Sequence, residues 1–287
     1  VRAGMIIEKL TIKGDGVWNE DALIIQEERG LFGVLDGATS FVPFRGPNGE
    51  TGGFMASRHV QEQLERVEGW EWEQLSLKAA VLLANTTLRQ AMVHHQVDCT
   101  IPEQIWSTGI AVIRINEQRI DYAQAGDCMI LGVYESDEVR VLTRDQVDHL
   151  DQQTRRRWQE AVSEGSTTKE QRMSKEAPYI LGNKALMNTT GGYGILNGQP
   201  ELVHFLEYGS ISRNRLTGLI LLTDGMFPLS EKYDSHVDYT ALAREIQTKG
   251  LERYSKELLT LEKSDADCML YPRIKTSDDK TAIWIKF

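Results

Sequence analysis

Cysteine is scarce in this chain: Cys99, Cys128 and Cys268 are the only three, far apart and odd in number. That excludes a disulfide framework and leaves no zinc-ligand spacing, so a reducing compartment is expected. Long apolar runs are missing too. No stretch approaches the roughly 18 apolar residues of a membrane span, and no signal-peptide core stands near the start, so a cytoplasmic protein without a membrane partner is expected. Excess positive charge is also lacking, because 32 Lys and Arg face 42 Asp and Glu, for a formal net charge of -10. A general polyanion binder needs a basic surface that releases counterions, so nucleic acid is not an expected partner. A cation is the more natural one, since part of the negative charge can be aspartates that a metal neutralises.

What is present suits a sizeable core. The chain is 41% hydrophobic and 26% charged over 287 residues, which one large domain spanning 1–287 accommodates. Val1 to Gly4 precede Met5, which has the look of a natural start, and are expected to add nothing to the fold. Short apolar or β-branched runs at 5–12, 22–25, 31–35, 110–115, 129–134, 139–142, 219–222 and 282–285 read as strands, many followed closely by another strand. Helical periodicity marks Phe54 to Val67, Glu73 to His94, and a segment near Tyr239 to Leu261. Blocks of helix between groups of strands predict an α+β fold, a β-sandwich of two packed sheets with helices on the outer faces. From about 148 to 199 charge dominates, and this stretch is expected to leave the core as an insertion.

Four acidic positions share one context. Asp36 in GVLDGATS, Asp127 in AQAGDCMI, Asp224 in LLTDGMF and Asp278 in SDDKTAIWI each stand at the edge of an apolar run, three of them beside a glycine. Asp21, in WNEDALII, precedes another strand. Singly, an Asp-Gly pair is a turn, as expected for Asp15-Gly16. Together the five describe strand ends that can meet on one rim of a sandwich, where like-charged carboxylates repel unless cations lie between them. Hard oxygen donors without nearby His or Cys favour Mg²⁺ or Mn²⁺. Two such ions about 3.5 to 4 Å apart activate a water and neutralise charge at a phosphorus centre.

The pieces NEDA, GVLDG, STGIAV, AGDC, LTRDQVDHL, LLTDG and DDKTAI, in this order from about Asn19 to Ile285, resemble the metal-dependent serine/threonine phosphatases of type 2C, in their bacterial form. The resemblance implies a β-sandwich flanked by helices with a metal centre at one end. It implies metal-dependent hydrolysis of phosphoserine and phosphothreonine in a phosphoprotein substrate, by a monomer. Carried over by position, Asp36 bridges two Mg²⁺ or Mn²⁺ ions and the Gly37 carbonyl binds the second. Asp224 and Asp278 complete the shell of the first ion, and Asp127 joins Asp224 at a third, weaker ion. Asp21 holds metal-bound waters, assisted by Glu20. Asp36, Asp224 and Asp21 are the candidate catalytic residues. The insertion at 148–199 falls where the family carries a substrate-facing flap, and Arg155, Arg156, Arg157, Lys169 and Arg172 become candidates to meet a phosphoprotein, against the plainer expectation of a solvated helix face.

Two departures from the family pattern stand out. Where many members carry a phosphate-gripping arginine, this chain reads GDGVWNEDA, leaving that job to Lys13 or a cation from elsewhere. Where several relatives have a histidine after the Asp-Gly pair, this chain has Ala38, which donates no proton. The first departure keeps two alternatives open: a phosphatase of a small phosphorylated metabolite, and a non-catalytic phosphate-sensing relative. Other polar residues have structural readings. His94 and His95 end a helix, where partial positive charge is favourable. Cys128 has no basic neighbour to activate it and reads as core. Gly191, Gly192 and Gly194 read as a turn, because no lysine follows in P-loop register. Trp70, Trp72 and Trp284 read as packing residues.

Overall fold

The computed structural model describes residues 4–38, 44–69, 71–166 and 168–287. Thr39 and Ser40 of the DGATS motif, Trp70 and residues 1–3 lie outside that set. Among the described residues, ten strands form two antiparallel five-stranded sheets, the sandwich that the strand runs predict. The first sheet has the order β2 (Ala22–Gln26), β3 (Leu31–Ala38), β4 (Ser107–Ile115), β5 (Arg119–Ala125), β8 (Glu207–Ser212). The second runs β1 (Ile6–Ile12), β10 (Lys280–Lys286), β9 (Leu216–Leu222), β6 (Met129–Tyr134), β7 (Val139–Val141). Strands β5 and β8 escape the sequence reading. Ile211 is the one fully apolar core position of β8, whose pattern is otherwise polar and exposed because it forms the sheet edge.

The inner strands feed two cores because successive side chains point to opposite faces. In β3, Phe32 and Val34 lie between the sheets, whereas Leu31 and Leu35 face the helices. In β9, Leu219 and Leu221 point inward and Ile220 and Leu222 outward. Helices α1 (Gly52–Arg66) and α2 (Leu77–His94) cover the first sheet with Ala56, Val60, Leu64, Val81, Ala84 and Leu88, the i, i+3, i+4 stripe of an amphipathic helix. Thr51 and Ser76 cap their N-termini, accepting from the amides of Phe54 and Ala79.

The second sheet is covered by α5 (Tyr239–Lys249) and α6 (Leu251–Ser264). The single helical segment expected near Tyr239 to Leu261 is therefore two helices. Gly250 divides them with φ 78°, a left-handed value that glycine adopts without a Cβ clash. The charged excursion is a helical hairpin, α3 (Asp148–Ser163) and α4 (Lys169–Lys184), followed by turns that return to the sheet through a bridge between Thr108 and Leu196. Trp158 anchors it, fully buried and donating Nε1–H to the Cys268 carbonyl at 2.9 Å.

Candidate metal centre

Strand alternation aims the acidic residues. Counting by two from Phe32 and Val34 places Asp36 on the inter-sheet side, just beyond the apolar row. Asp21 precedes β2 in the same phase as Leu23 and Ile25, and Thr223 follows Leu219 and Leu221. The two meet: Thr223 Oγ1 donates to Asp21 Oδ2 at 2.9 Å, tying one sheet to the other at its acidic end. Asp224 opens the turn after β9, and Asp278 precedes β10. Asp127 sits in the β5–β6 turn, where Gly126 takes φ 80°.

Close backbone packing holds these positions. The Gly37 amide donates to the Glu20 carbonyl at 3.2 Å, and a Cβ on Gly37 would strike the Gly53 and Glu20 carbonyls. A Cβ on Gly225 would strike the Asp279 carbonyl. The STGIAV motif is the partner of β3, with Asp36 opposite Gly109 and Gly37 opposite Thr108, whose hydroxyl donates to the Asp36 carbonyl at 3.0 Å. Each glycine is where one strand end must pass another without a side chain.

The carboxylates perturb one another strongly. Burial, then Asp224, Asp21, Asp127 and Asp278 in turn, push the Asp36 carboxyl well above its usual range. Burial raises Asp127 likewise, with Asp224 and Asp145 adding to it. Asp224 is pushed up to about 6 by burial and Asp278, against a hydrogen bond with Asp36 and the charge of Lys275. Asp21 is also raised, first by burial. Among the described residues, the Oδ1 atoms of Asp21 and Asp224 are buried without a hydrogen-bond partner. Unpartnered buried carboxylate oxygens are costly, and a divalent cation removes both the repulsion and the missing contact. The donor set therefore fits Mg²⁺ or Mn²⁺ chemically. Among the described residues, no three His, Cys, Asp or Glu side chains already form a cation cage. Asp278 is turned to Lys275 instead, whose Nζ stands 2.6 Å from its Oδ1.

Several participants have no counterpart in the sequence reading. Asp145 and Asp151 extend the acidic group: burial, Asp145 and Asp224 push Asp151 up to about 8. Asp145 lay within the LTRDQVDHL motif, but its fold role, accepting from the Val147 and Asp148 amides to start α3, masks any chemical one. Asp279 accepts from the amides of Gly14 at 2.7 Å and Glu20 at 2.8 Å, clamping the first acidic motif to the last. Asp15, read as a plain turn residue, also accepts from the Thr276 and Ser277 amides.

The basic residues of the hairpin are largely engaged within the protein. Arg172 is fully buried, donating to the carbonyls of Ser166 and Asp267 and stacked over Trp158. It is neither a solvated face nor a substrate contact. Arg157 pairs with Glu176 at 3.1 Å, Arg155 with Asp148 at 3.4 Å, and Lys169 donates to Thr276 Oγ1 at 2.9 Å. Arg156 remains on the surface, paired with Glu160. Lys13 is exposed and reaches the Val17 carbonyl at 3.5 Å. Cys128 is fully buried, and burial with the surrounding carboxylates pushes its thiol up, so it is an inert core residue. Trp72 and Trp284 pack as expected, 4% and 8% exposed. A Cβ on Gly192 would strike the Leu186 carbonyl, which makes that glycine cluster a tight turn.

Residues 13–261 match the sequence profile of the family described as protein phosphatase 2C. No curated protein is matched by the chain in sequence. Among solved structures, the serine/threonine phosphatase Stp1 from Staphylococcus aureus is similar with a TM-score of 0.57 at 16% identity, covering 99% of this chain and 96% of that one. The phosphatase PstP/Ppp of Mycobacterium tuberculosis gives 0.55 at 18% identity, over 99% and 98% of the two chains. The catalytic domain of PstP in complex with two manganese ions gives 0.54 at 17% identity, over 98% and 97%. At these identities the likeness establishes the fold.

Proposed function

This chain belongs to the protein phosphatase 2C family, and from that premise we propose that it hydrolyses phosphoserine and phosphothreonine in proteins, using divalent cations held by its aspartates. The observation that carries the reading is the convergence of Asp21, Asp36, Asp127, Asp224 and Asp278 on one end of the sandwich, where two buried carboxylate oxygens have no hydrogen-bond partner among the described residues. Asp36, Asp224 and Asp278, with the Gly37 carbonyl, are the residues that would hold a pair of Mg²⁺ or Mn²⁺ ions. Asp127 would serve a third ion, and Asp21 would accept from waters around the first two. When bound, such ions supply an acidified water and positive charge for attack at phosphorus.

The chain's own residues set the conditions for that chemistry. Thr223 fixes the orientation of Asp21, leaving Oδ1 free to accept. Asp278 is held by Lys275 at 2.6 Å, and it would have to give up that ion pair to take a cation. Because their pKa values are raised, the carboxyls of Asp36, Asp127 and Asp224 would release protons on taking up a cation. Ala38 carries no proton to donate, so the leaving alkoxide would take one from a water held by the ions.

The engagement of Arg155, Arg157, Lys169 and Arg172 inside the protein supports a second reading, a phosphatase of a small phosphorylated metabolite, since little free positive charge is left on the hairpin for a phosphoprotein. The test is hydrolysis of p-nitrophenyl phosphate and a phosphothreonine peptide with Mn²⁺, Mg²⁺ or EDTA, with Asp224→Asn as control. We expect metal-dependent turnover, peptide preferred, that falls at least about a hundredfold in the variant, the size of effect seen when a transition-state charge contact is lost. Turnover in EDTA equal to that in Mn²⁺ would end the metal reading, and indifference to the peptide would favour the metabolite.

A further inference from the structure

A cavity of about 210 Å³ lies between the acidic strand ends and the α3–α4 hairpin. Asp36, Ala38 and Asp127 form one wall, and Leu150, Ile180 and Lys184 belong to the other. Lys184, the last residue of α4, is the one cation among its described lining residues. It is 7% exposed, and among the described residues its ammonium has no hydrogen-bond or ion-pair partner. Its side chain is buried while lining the cavity, so the charge is placed to meet whatever enters there. Burial lowers its pKa to about 8, and the nearby Glu20 favours its charged form, so it remains a cation at neutral pH.

The sequence lacks the arginine that the resemblance expects before the first acidic motif, and the other nearby cations are occupied. Lys13 reaches the Val17 carbonyl, Arg45 the Phe44 carbonyl at 2.9 Å, and Lys275 holds Asp278. Among the described residues that line the cavity, Lys184 alone is a cation, buried and unengaged, and it shares that space with Asp36. We propose that Lys184 binds the phosphoryl group of the substrate, with the ammonium donating to non-bridging phosphate oxygens in the cavity between Asp36 and α4. The inference rests on the phosphatase reading for its substrate, a phosphate monoester. The hairpin then delivers the grip that the N-terminal motif does not. Ala38 assists by leaving that wall of the cavity with only a methyl group.

The test uses the full chain loaded with Mn²⁺ and inorganic phosphate as the probe. Phosphate binding is measured by calorimetry and as competitive inhibition of p-nitrophenyl phosphate turnover, for Lys184→Met and Lys184→Arg. Lys184→Met is expected to weaken phosphate binding and raise KM by roughly tenfold or more, the size of one charge-assisted hydrogen bond. Mn²⁺ affinity should stay within about twofold, and Lys184→Arg should recover most of the binding. Unchanged phosphate affinity in a folded, Mn²⁺-binding Lys184→Met protein overturns the proposal while leaving the phosphatase reading intact. Should Lys184→Met fail to fold, the wild-type Lys184 ammonium NMR signal, assigned against Lys184→Arg, decides: a shift on adding phosphate supports the site, and none overturns it. Phosphate bound through Lys184 without hydrolysis of any phosphoester would support the site and remove the phosphatase reading.

Discussion

At the scale of the residue, the centre is a set of carboxylates held closer than they tolerate alone. Asp36 carries most of this, since four other aspartates raise its pKa on top of burial. An asparagine there keeps the shape and removes the charge. We expect Asp36→Asn to stabilise the metal-free protein by about 1 kcal/mol, a rise of roughly 2–4 °C in Tm for a chain of this size, while abolishing turnover and the stabilisation by Mn²⁺. Thermal unfolding in EDTA and in Mn²⁺ checks both. A lower Tm for the variant in EDTA would mean that Asp36 is satisfied by contacts within the protein. Unlike Asp36, the carboxylate of Asp279 has both oxygens occupied by backbone amides, so its role is to hold the chain.

At the scale of the element, the α3–α4 hairpin decides what stands over the centre. Its second helix begins with a reciprocal cap: Thr168 Oγ1 accepts from the Gln171 amide and the Gln171 side chain accepts from the Thr168 amide. Pro178 interrupts the same helix, so its hydrogen-bond ladder is incomplete and the cap matters more. Thr168→Ala should cost about 1 kcal/mol. The loss should fall on α4, reported by faster amide hydrogen exchange between 169 and 184 while β3 and β9 keep their protection. Equal acceleration in the strands would show that the hairpin and the sandwich unfold as one unit.

At the scale of the whole molecule, stability and pH are linked through the acidic end. Asp151 keeps its proton in the folded protein up to about pH 8, whereas an unfolded aspartate loses it near pH 4. Its folded pKa is the higher one, so the stability of the protonated form is complete below about pH 4 and is lost as pH rises through about 8. Asp36 and Asp127 are shifted in the same direction. The metal-free Tm should therefore fall between about pH 5 and about pH 8.5, and Mn²⁺ should raise it more at the upper end, where the ligands are deprotonated. A flat profile in EDTA would show that the carboxylates are not mutually strained. Among the described residues, no helix is long and apolar enough to cross a membrane.

How much of this was legible follows from what each signal depends on. Strands buried on both faces, such as β3, β4 and β9, declare themselves as apolar runs, and an aspartate beside a glycine at the end of such a run is visible without coordinates. The edge strand β8 is polar and hides, and the break between α5 and α6 at Gly250 lies inside one continuous helical pattern. The sequence by itself determined the two-sheet sandwich and the identity of its acidic strand ends, because side-chain alternation and burial are local rules. Only the tertiary structure decided that Arg172 is buried inside the hairpin, that Lys275 holds Asp278, and that Lys184 lines one cavity with Asp36, unpartnered among the described residues. Those are distances between elements far apart in the chain, and the local pattern of a charged helix reads alike whether its lysine faces water or a cavity.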